Sequence, residues 1–521
     1  MPGARILFSG FGGVLARPYV NVRESPLTGG GIDQLNQGTF FNSAIIYFQF
    51  PDLVEAIPGT NVGARALFAP LSEAQRAAAR EVFAELNHLL GVRFVEWSST
   101  AVTPPLDGNI IRIANTSFGS GGDGAQSFSP GNMDGTIWMN GGGIPSMLET
   151  PVAGEWLDMV MRHEIGHSLG LSHPHDLYFG GTRYDWGNAW TIMSYSGYGT
   201  LLSEPSGVSA GSFPQTFMPL DIQMLQHVYG RNTVSDGNDV YRVFTEGAFA
   251  DRFGRPPQVR IISEDGDPQL YGVNEGGEHW LNFAAWDSGG SDSLDFSGVL
   301  RSAGETGVSV RIDADHLRAW LGPQDPIFVA SGDPLALRPP AIQFVLDDLS
   351  WIETLVGTAS DDHLDAWGAD RSVSLNGGGG DTLIGGRAAD RLTGDEGGDL
   401  FRAGLGGGHD IITDYSPAID RLEIWGFREA ARVYQDGGDV VLALSDQDSV
   451  RFTGLQLAHL DLSRVLPRFA MSMETRLNWC RRAHSQVLRT SAFCSERRPG
   501  SFRRPSAAYR TMASVGQSEG R

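Results

Sequence analysis

Residues 163–173 read His-Glu-Ile-Gly-His-Ser-Leu-Gly-Leu-Ser-His. On an α-helix, positions four apart share one face, so His163 and His167 point the same way. Two imidazoles placed so can hold one Zn²⁺ at about 2.0–2.1 Å each. Glu164 follows the first of them and stands beside the ion rather than on it, where its carboxylate can take a proton from metal-bound water. Gly170 permits the helix to end and the chain to turn sharply. That turn predicts His173 as a third ligand. Three protein ligands leave a fourth position open, the arrangement of a catalytic rather than a structural site.

Residues 191–195 read Thr-Ile-Met-Ser-Tyr, with Met193 twenty positions after His173. A long zinc motif followed by such a Met-containing turn marks the metzincins. Pro174 directly after the third His, and Tyr195 two places after Met193, make the segment resemble the serralysins. These are secreted bacterial zinc proteases with calcium-binding RTX-type repeats behind the catalytic domain. The resemblance implies that Met193 forms an apolar floor under the zinc. It also implies that Tyr195 is a fifth, displaceable ligand that swings to stabilise an oxyanion. His175 stands where that family usually has Gly and reads as a solvent-facing neighbour, not a ligand.

At 521 residues the chain is long enough for two or more domains with sizeable cores. A formal charge of −22 argues against nucleic acid as a partner and leaves carboxylates available for calcium. The 39 basic residues are all Arg. The only cysteines, Cys480 and Cys494, sit near the C-terminus, so no disulfide framework holds the main body together. Bound calcium is the expected staple instead. The first ten residues, Met-Pro-Gly-Ala-Arg-Ile-Leu-Phe-Ser-Gly, lack the long apolar stretch of a signal peptide. No run approaches the roughly 18 apolar residues of a membrane span. By the resemblance, export is expected through a type I route reading a C-terminal signal, giving an extracellular monomer.

Along the chain, 44–50 predicts a buried strand, 71–90 a helix with Ser72 as N-cap and Gly91 past its end, and 92–97 and 109–114 two more strands. A short strand is expected at 135–140 and the zinc-binding helix at about 151–169. That order fits an α/β catalytic domain over 31–235, preceded by an N-terminal segment or propeptide at 1–30. The resemblance places 135–140 beside the edge strand that holds substrate. A peptide docked on a sheet edge is held through its backbone, so sequence preference would be broad.

Beyond residue 235 the long helical patterns fade. Residues 286–296 resemble the family's approach to its calcium domain, implying Asp287 and Asp292 as side-chain ligands and Gly289 and Gly290 as carbonyl donors. The segment from Trp351 resembles the next, implying Glu353 and Asp362. From Gly357 to Asp410 there are 15 Gly in 54 residues, several times the usual share of about 7%. A worn Gly-Gly-x-Gly-x-Asp-x-Leu-x pattern places Asp381, Asp390 and Asp399 nine apart. This period predicts a parallel β-roll, two repeats per coil, with Leu383, Leu392 and Phe401 inward and Ca²⁺ between coils. Arg371 stands where that repeat wants Asp, and Ser360 and Ala388 replace Gly, so fewer or weaker sites are expected. The divisions are a β-rich connecting part at 236–350, the calcium roll at 351–415 and closing strands at 416–467.

Residues 468–521 carry 11 Arg against 3 Glu, about +8, while the rest of the chain carries −30. Two readings of this tail stand: a shifted or read-through frame, disordered in consequence, or a basic arm for an anionic surface. Taken together, the sequence predicts a metzincin catalytic domain, with one catalytic Zn²⁺, followed by an all-β calcium roll with several structural Ca²⁺. The activity it predicts is hydrolysis of peptide bonds in extracellular proteins by zinc-activated water. The rival reading is a calcium-dependent surface or adhesion protein with an inactive protease domain.

Overall fold

The computed structural model describes residues 35, 40–57, 62–105, 109–117, 125–126, 136–141, 150–151, 156–174, 190–194, 213–234, 237–245, 257–262, 269–271, 282–299, 306–321, 342–427, 432–461 and 464–467. The 1–30 segment, His175, Tyr195 and the 468–521 tail lie outside these residues.

The N-terminal half is built on one sheet of β1 (Ile45–Gln49), β2 (Phe68–Ala69), β3 (Arg93–Glu96), β4 (Ile110–Thr116), β5 (Ala125–Gln126) and β6 (Ile137–Asn140). The main order is β3-β1-β4-β6-β5, with β5 antiparallel to β6 and the other neighbours in that order parallel. Alongside are α1 (Val62–Ala66), α2 (Glu73–Leu89), α3 (Trp156–Ser168) and α4 (Pro219–Tyr229). The predicted strand at 135–140 is β6, and β5 lies outside it.

Ser72 and Gln75 form a reciprocal capping box that starts α2 by satisfying two backbone donors. Ala79, Val82, Phe83 and Leu86 then recur at helical spacing and are buried against the sheet. Phe83 stacks on Phe48 of β1 with centroids 4.0 Å apart. Gly91 ends the helix because the chain passes Arg231 there: a Cβ would lie 2.9 Å from the Arg231 carbonyl oxygen. The zinc-motif helix is described over Trp156–Ser168, with Pro151 and Leu169 outside it. All but Trp156 and His167 of its residues are buried. Inside it, Arg162 pairs with Asp158 at 2.5 Å and with Glu85 of α2 at 3.3 Å. Glu85 also accepts the Phe217 N–H at 2.7 Å, so one buried ionic group joins α2, α3 and the approach to α4.

The C-terminal half is two facing sheets of nine and eleven strands. Successive strands alternate between them: Thr354–Val356, Ser374–Asn376, Arg391–Thr393 and His409–Ile412 in one; His363–Asp365, Thr382–Ile384, Leu400–Gly404 and Arg421–Trp425 in the other. Each strand pairs in parallel with the one a full coil away, so two repeats make one coil. Leu355, Leu375, Leu392 and Ile412 line one wall of the core; Leu364, Leu383, Phe401 and Leu422 line the other. The same sheets take in strands from the 236–350 stretch and finish with Val465–Pro467.

The two halves share side chains. Ala284, Trp286 and Val345 sit in the N-terminal core, and Arg231 pairs with Asp347 and Asp348. Among the described residues no helix is long and apolar enough to cross a membrane.

Candidate metal centres

The helix α3 carries His163 and His167 one turn apart, and Gly170, at φ 98°, turns the chain so that His173 returns to them. The Nε2 of His173 lies 3.2 Å from that of His163 and 3.0 Å from that of His167. Each helical imidazole is held from behind: His163 Nδ1 lies 2.8 Å from the Ile192 carbonyl oxygen, and His167 Nδ1 2.8 Å from that of Leu171. A carbonyl can only accept, so each Nδ1 carries the hydrogen and each Nε2 presents a bare lone pair. Two lone pairs converging on a third imidazole suit a cation between them. A tetrahedral ion at about 2.0–2.1 Å from each nitrogen separates its ligands by roughly 3.3–3.4 Å, close to what these rings adopt. The donor set therefore fits Zn²⁺. Glu164 is buried alongside, and burial pushes its carboxyl up to about 8.

Beneath the histidines, Met193 is wholly buried. A Cβ on Gly166 would lie 3.0 Å from the Met193 sulfur, so the side chain of Met193 packs closely against this position of α3. Asp221 holds that turn from the first turn of α4. Its carboxylate accepts from the Thr191 hydroxyl at 2.6 Å, from the Ile192 N–H at 2.8 Å and from the Met218 N–H at 3.0 Å. Ile192 in turn supplies the carbonyl behind His163. Asp221 thus orients a ligand through two intervening bonds without touching the site. Burial pushes its carboxyl up to about 7, against those three hydrogen bonds.

A second cluster lies in the C-terminal half, where the carboxylates of Asp239, Asp287 and Asp292 approach within 4.8 Å of one another, all buried. Tyr241 donates to Asp287 at 2.6 Å, the Gly289 N–H donates to Asp287 at 2.8 Å, and the Asp239 N–H to Asp292 at 2.7 Å. Asp292 Oδ2 is buried without a hydrogen-bond donor. Burial and the neighbouring Asp287 charge push Asp292 up to about 8. Gly290, at φ 152°, packs so tightly on the 237 backbone that a Cβ would lie 1.6 Å from the Gly237 carbonyl oxygen. Three converging carboxylates and an orphaned oxygen fit a hard cation such as Ca²⁺.

Two ladders of carboxylates run along the coils, the second of them starting from this cluster. In one, the backbone N–H of Asp362, Asp381 and Asp399 donates to the carboxylate of Asp381, Asp399 and Asp420 in turn, at 2.7–3.0 Å. In the other, Asp292 N–H donates to Glu353 at 2.7 Å, Val373 N–H to Asp390 at 2.8 Å, and Asp390 N–H to Asp410 at 3.1 Å. Burial pushes Asp381 up to about 7, Asp390 and Asp399 to about 6 and Asp410 to about 8.

Three comparisons bear on this geometry. Metalloprotease AprA of Pseudomonas entomophila is 27% identical over 220 residues, 37% of this chain and 41% of that protein. Serralysin A of Dickeya chrysanthemi is 27% identical over 269 residues, half of each chain. Serralysin of Proteus mirabilis is 31% identical over 163 residues, 29% of this chain and 28% of that one. The chain is similar to serralysin-type metalloproteases. It spans about half, or less, of the length of the curated relatives it matches. No family model matches it.

The structure brings His163, His167 and His173 together and sets Glu164 and Met193 beside them. It separates the two residues that the sequence grouped after Trp351: Glu353 belongs to one ladder and Asp362 to the other. Arg371 is not the residue in the Asp position of its coil. Val373 is: its N–H binds Asp390 and its side chain is buried, while the Arg371 guanidinium lies over the Trp351 ring at 5.2 Å. The nine-residue count runs one way through 381, 390 and 399, but coils vary in length, and pairing rather than spacing sets the position.

Asp239, Asp410, Asp420 and Asp221 were missed by the sequence reading. For the first three a signal exists. Each carboxylate stands two places before an inward apolar residue: Asp239 before Tyr241, Asp410 before Ile412, Asp420 before Leu422, as Asp381 before Leu383. Strand alternation produces this pair, because the residue between them faces out.

Proposed function

We propose that this chain is a secreted, zinc-dependent endopeptidase whose C-terminal half is a β-roll stabilised by calcium. The observation that carries the reading is the convergence of three imidazole Nε2 atoms, two of them with Nδ1 fixed by backbone carbonyls. The similarity to serralysin-type metalloproteases supports it independently. His163, His167 and His173 hold the metal. Zn²⁺ in such a centre supplies Lewis acidity, which acidifies a water molecule and polarises a peptide carbonyl. Glu164 is the base: a cation held by the histidines would favour its ionised form, which takes the proton from the attacking water and passes it to the leaving amine. Met193 packs beneath the ligands and keeps water from their underside. Tyr195 is assigned to the oxyanion on the family resemblance, with its hydroxyl donating as charge develops. An extended substrate would lie along β5, bound through its backbone. Asp287, Asp292, Glu353, Asp362, Asp381, Asp390 and Asp399 hold calcium, with the carbonyls of Gly289 and Gly290, and Asp239 joins them. Export by a type I system follows from the same resemblance.

The test is Glu164→Gln in the full chain with both metals supplied. Zinc content should stay at one per chain, while casein cleavage falls by about 10²–10⁴-fold. Cleavage near the wild-type rate would remove Glu164 as base; a wild-type chain that binds zinc and cleaves nothing would favour the adhesion-protein reading.

A further inference from the structure

The carboxylates along one edge of the roll do not form an unbroken row. Strand register stacks Asp239, Asp292, Glu353, Val373, Asp390 and Asp410 there, one above the next. On the opposite edge Asp362, Asp381, Asp399 and Asp420 stack without interruption. Val373 alone among the first six carries no carboxylate, and it is 3% exposed. Neighbouring strands lie about 4.7–4.9 Å apart, so Glu353 and Asp390 stand two spacings, roughly 9–10 Å, from each other. A calcium ion with oxygens at about 2.3–2.6 Å reaches across roughly 5 Å and joins adjacent coils only.

The loop of residues 366–373 closes without a carboxylate at its end. In the next loop along, Asp390 accepts the Gly386 N–H as well as the Val373 N–H. Register places Trp367 beside Gly386, and the Trp367 N–H goes instead to Asp365 at 2.9 Å. The Ala369 N–H donates to the Ala366 carbonyl at 2.8 Å, and the Ala369 carbonyl accepts the Arg387 N–H at 2.9 Å. Ala366, Ala369 and Val373 are buried in the core of the roll. Arg371 crosses to the preceding loop, where its guanidinium lies 5.2 Å from the centre of the buried Trp351 ring. Trp351 stands two residues before Glu353. Burial raises the Glu353 carboxyl, and two backbone N–H groups and the Arg371 charge oppose that shift. A guanidinium on an aromatic face near a carboxylate supplies positive charge without a dissociable ion.

We propose that the loop ending at Val373 is an ion-free joint in this edge of the roll, with the Arg371 guanidinium on Trp351 as its fixed cation. The joint separates a cation site around Asp239, Asp287, Asp292 and Glu353 from another around Asp390 and Asp410. Each ion on this edge then meets carboxylates from one side of the joint only. A carboxylate placed at 373, with the guanidinium removed, restores the missing member of the row and creates a further site. This inference rests on the proposed calcium reading of the carboxylates.

The test compares the full-length wild type with Arg371→Met, Arg371→Lys and the double variant Val373→Asp with Arg371→Met. Bound calcium is counted by plasma mass spectrometry after dialysis at saturating calcium, and melting is followed in the same buffer. The double variant should hold one calcium ion more per chain than the wild type, and Arg371→Met the same number as the wild type. Arg371→Met removes the charge and should lower the melting temperature of the calcium-loaded roll by about 2–4 °C. Arg371→Lys keeps the charge and should lower it less. A calcium ion lost or gained in Arg371→Met would overturn the ion-free joint, as would a folded double variant without the extra ion. If the double variant does not fold, the single variants decide: an equal drop in both, or none in either, overturns the fixed cation. A wild type that binds no calcium at all would instead overturn the calcium reading itself.

Discussion

The histidine centre takes its three ligands from eleven consecutive residues, whereas the carboxylate groups draw theirs from segments spread between Asp239 and Asp420. The first needs no ion in order to exist. The rings of His163 and His167 are fixed by the backbone carbonyls of Ile192 and Leu171. The ladders stack carboxyl groups inside a narrow two-sheet core, held mainly by backbone N–H groups. On the proposed reading, zinc would enter a largely preformed site, whereas calcium would help make its region compact. Two metals in one chain can thus have separate thermodynamic roles, one in chemistry and one in folding.

The largest expected effect follows directly. A calcium-selective chelator should abolish most β-structure in the C-terminal half and open residues 351–427 to proteolysis, while zinc content stays near one per chain. Circular dichroism that stays flat across a calcium titration, or zinc lost in step with calcium, would break the contrast.

The pH dependence should also separate the two regions. Carboxyls with an ordinary value of about 3.9 are raised to about 6 for Asp390 and Asp399, about 7 for Asp381 and about 8 for Asp410. The calcium-free fold therefore holds protons that the unfolded chain releases. Its stability is greatest near pH 4 and declines as pH rises through these raised values. With calcium the order reverses, because the anions are then the bound form and affinity climbs with pH. Urea midpoints between pH 5 and 8, with and without calcium, give the two slopes; a calcium-free midpoint that rises over that range contradicts the sign.

Asp221→Asn replaces an acceptor of three hydrogen bonds by a group that presents N–H to some of those donors. It should cost about 1–3 kcal/mol and be felt in the N-terminal half alone. Thermal melts at saturating calcium should show the calcium-dependent transition unmoved. The smallest effect expected is that of Ser72→Ala, which removes one half of the α2 capping box at about 1 kcal/mol. Metal affinities should not change, and a measurable loss of zinc would mean that α2 braces the site more directly than through Glu85 and Arg162.

Local chemistry was legible in the sequence and long-range pairing was not. The zinc motif, the Ser72 cap and the Gly91 stop each depend on residues within a turn or two of one another. The ladder was half legible. Asp381, Asp390 and Asp399 stood out because glycines surround them, yet Asp239 meets its partners only across a gap of about fifty residues. The Arg371 assignment failed because counting residues assumes coils of equal length, while strand pairing selects Val373. Asp221 looked like an ordinary first-turn acid of a helix; only the packing of α4 on the 191–194 turn gives it a role.

The parallel coils carry a consequence for how the chain assembles in time. Their pairings join residues 17–21 positions apart, as in Leu375 with Leu392 and Phe401 with Leu422. In the N-terminal sheet Ile46 meets Phe94 and Tyr47 meets Ile110, across 48 and 63 residues. Closing a short loop is quick and repeats coil by coil, so the coils between Thr354 and Trp425 can form one after another, before the longer pairings that cap them at either end. In the N-terminal sheet β6 meets β4 and β5 at short range, but β1 sits between β3 and β4, and neither of its pairings forms before a long loop closes. Damage to one coil therefore stays local, whereas damage to β1 separates β3 from β4.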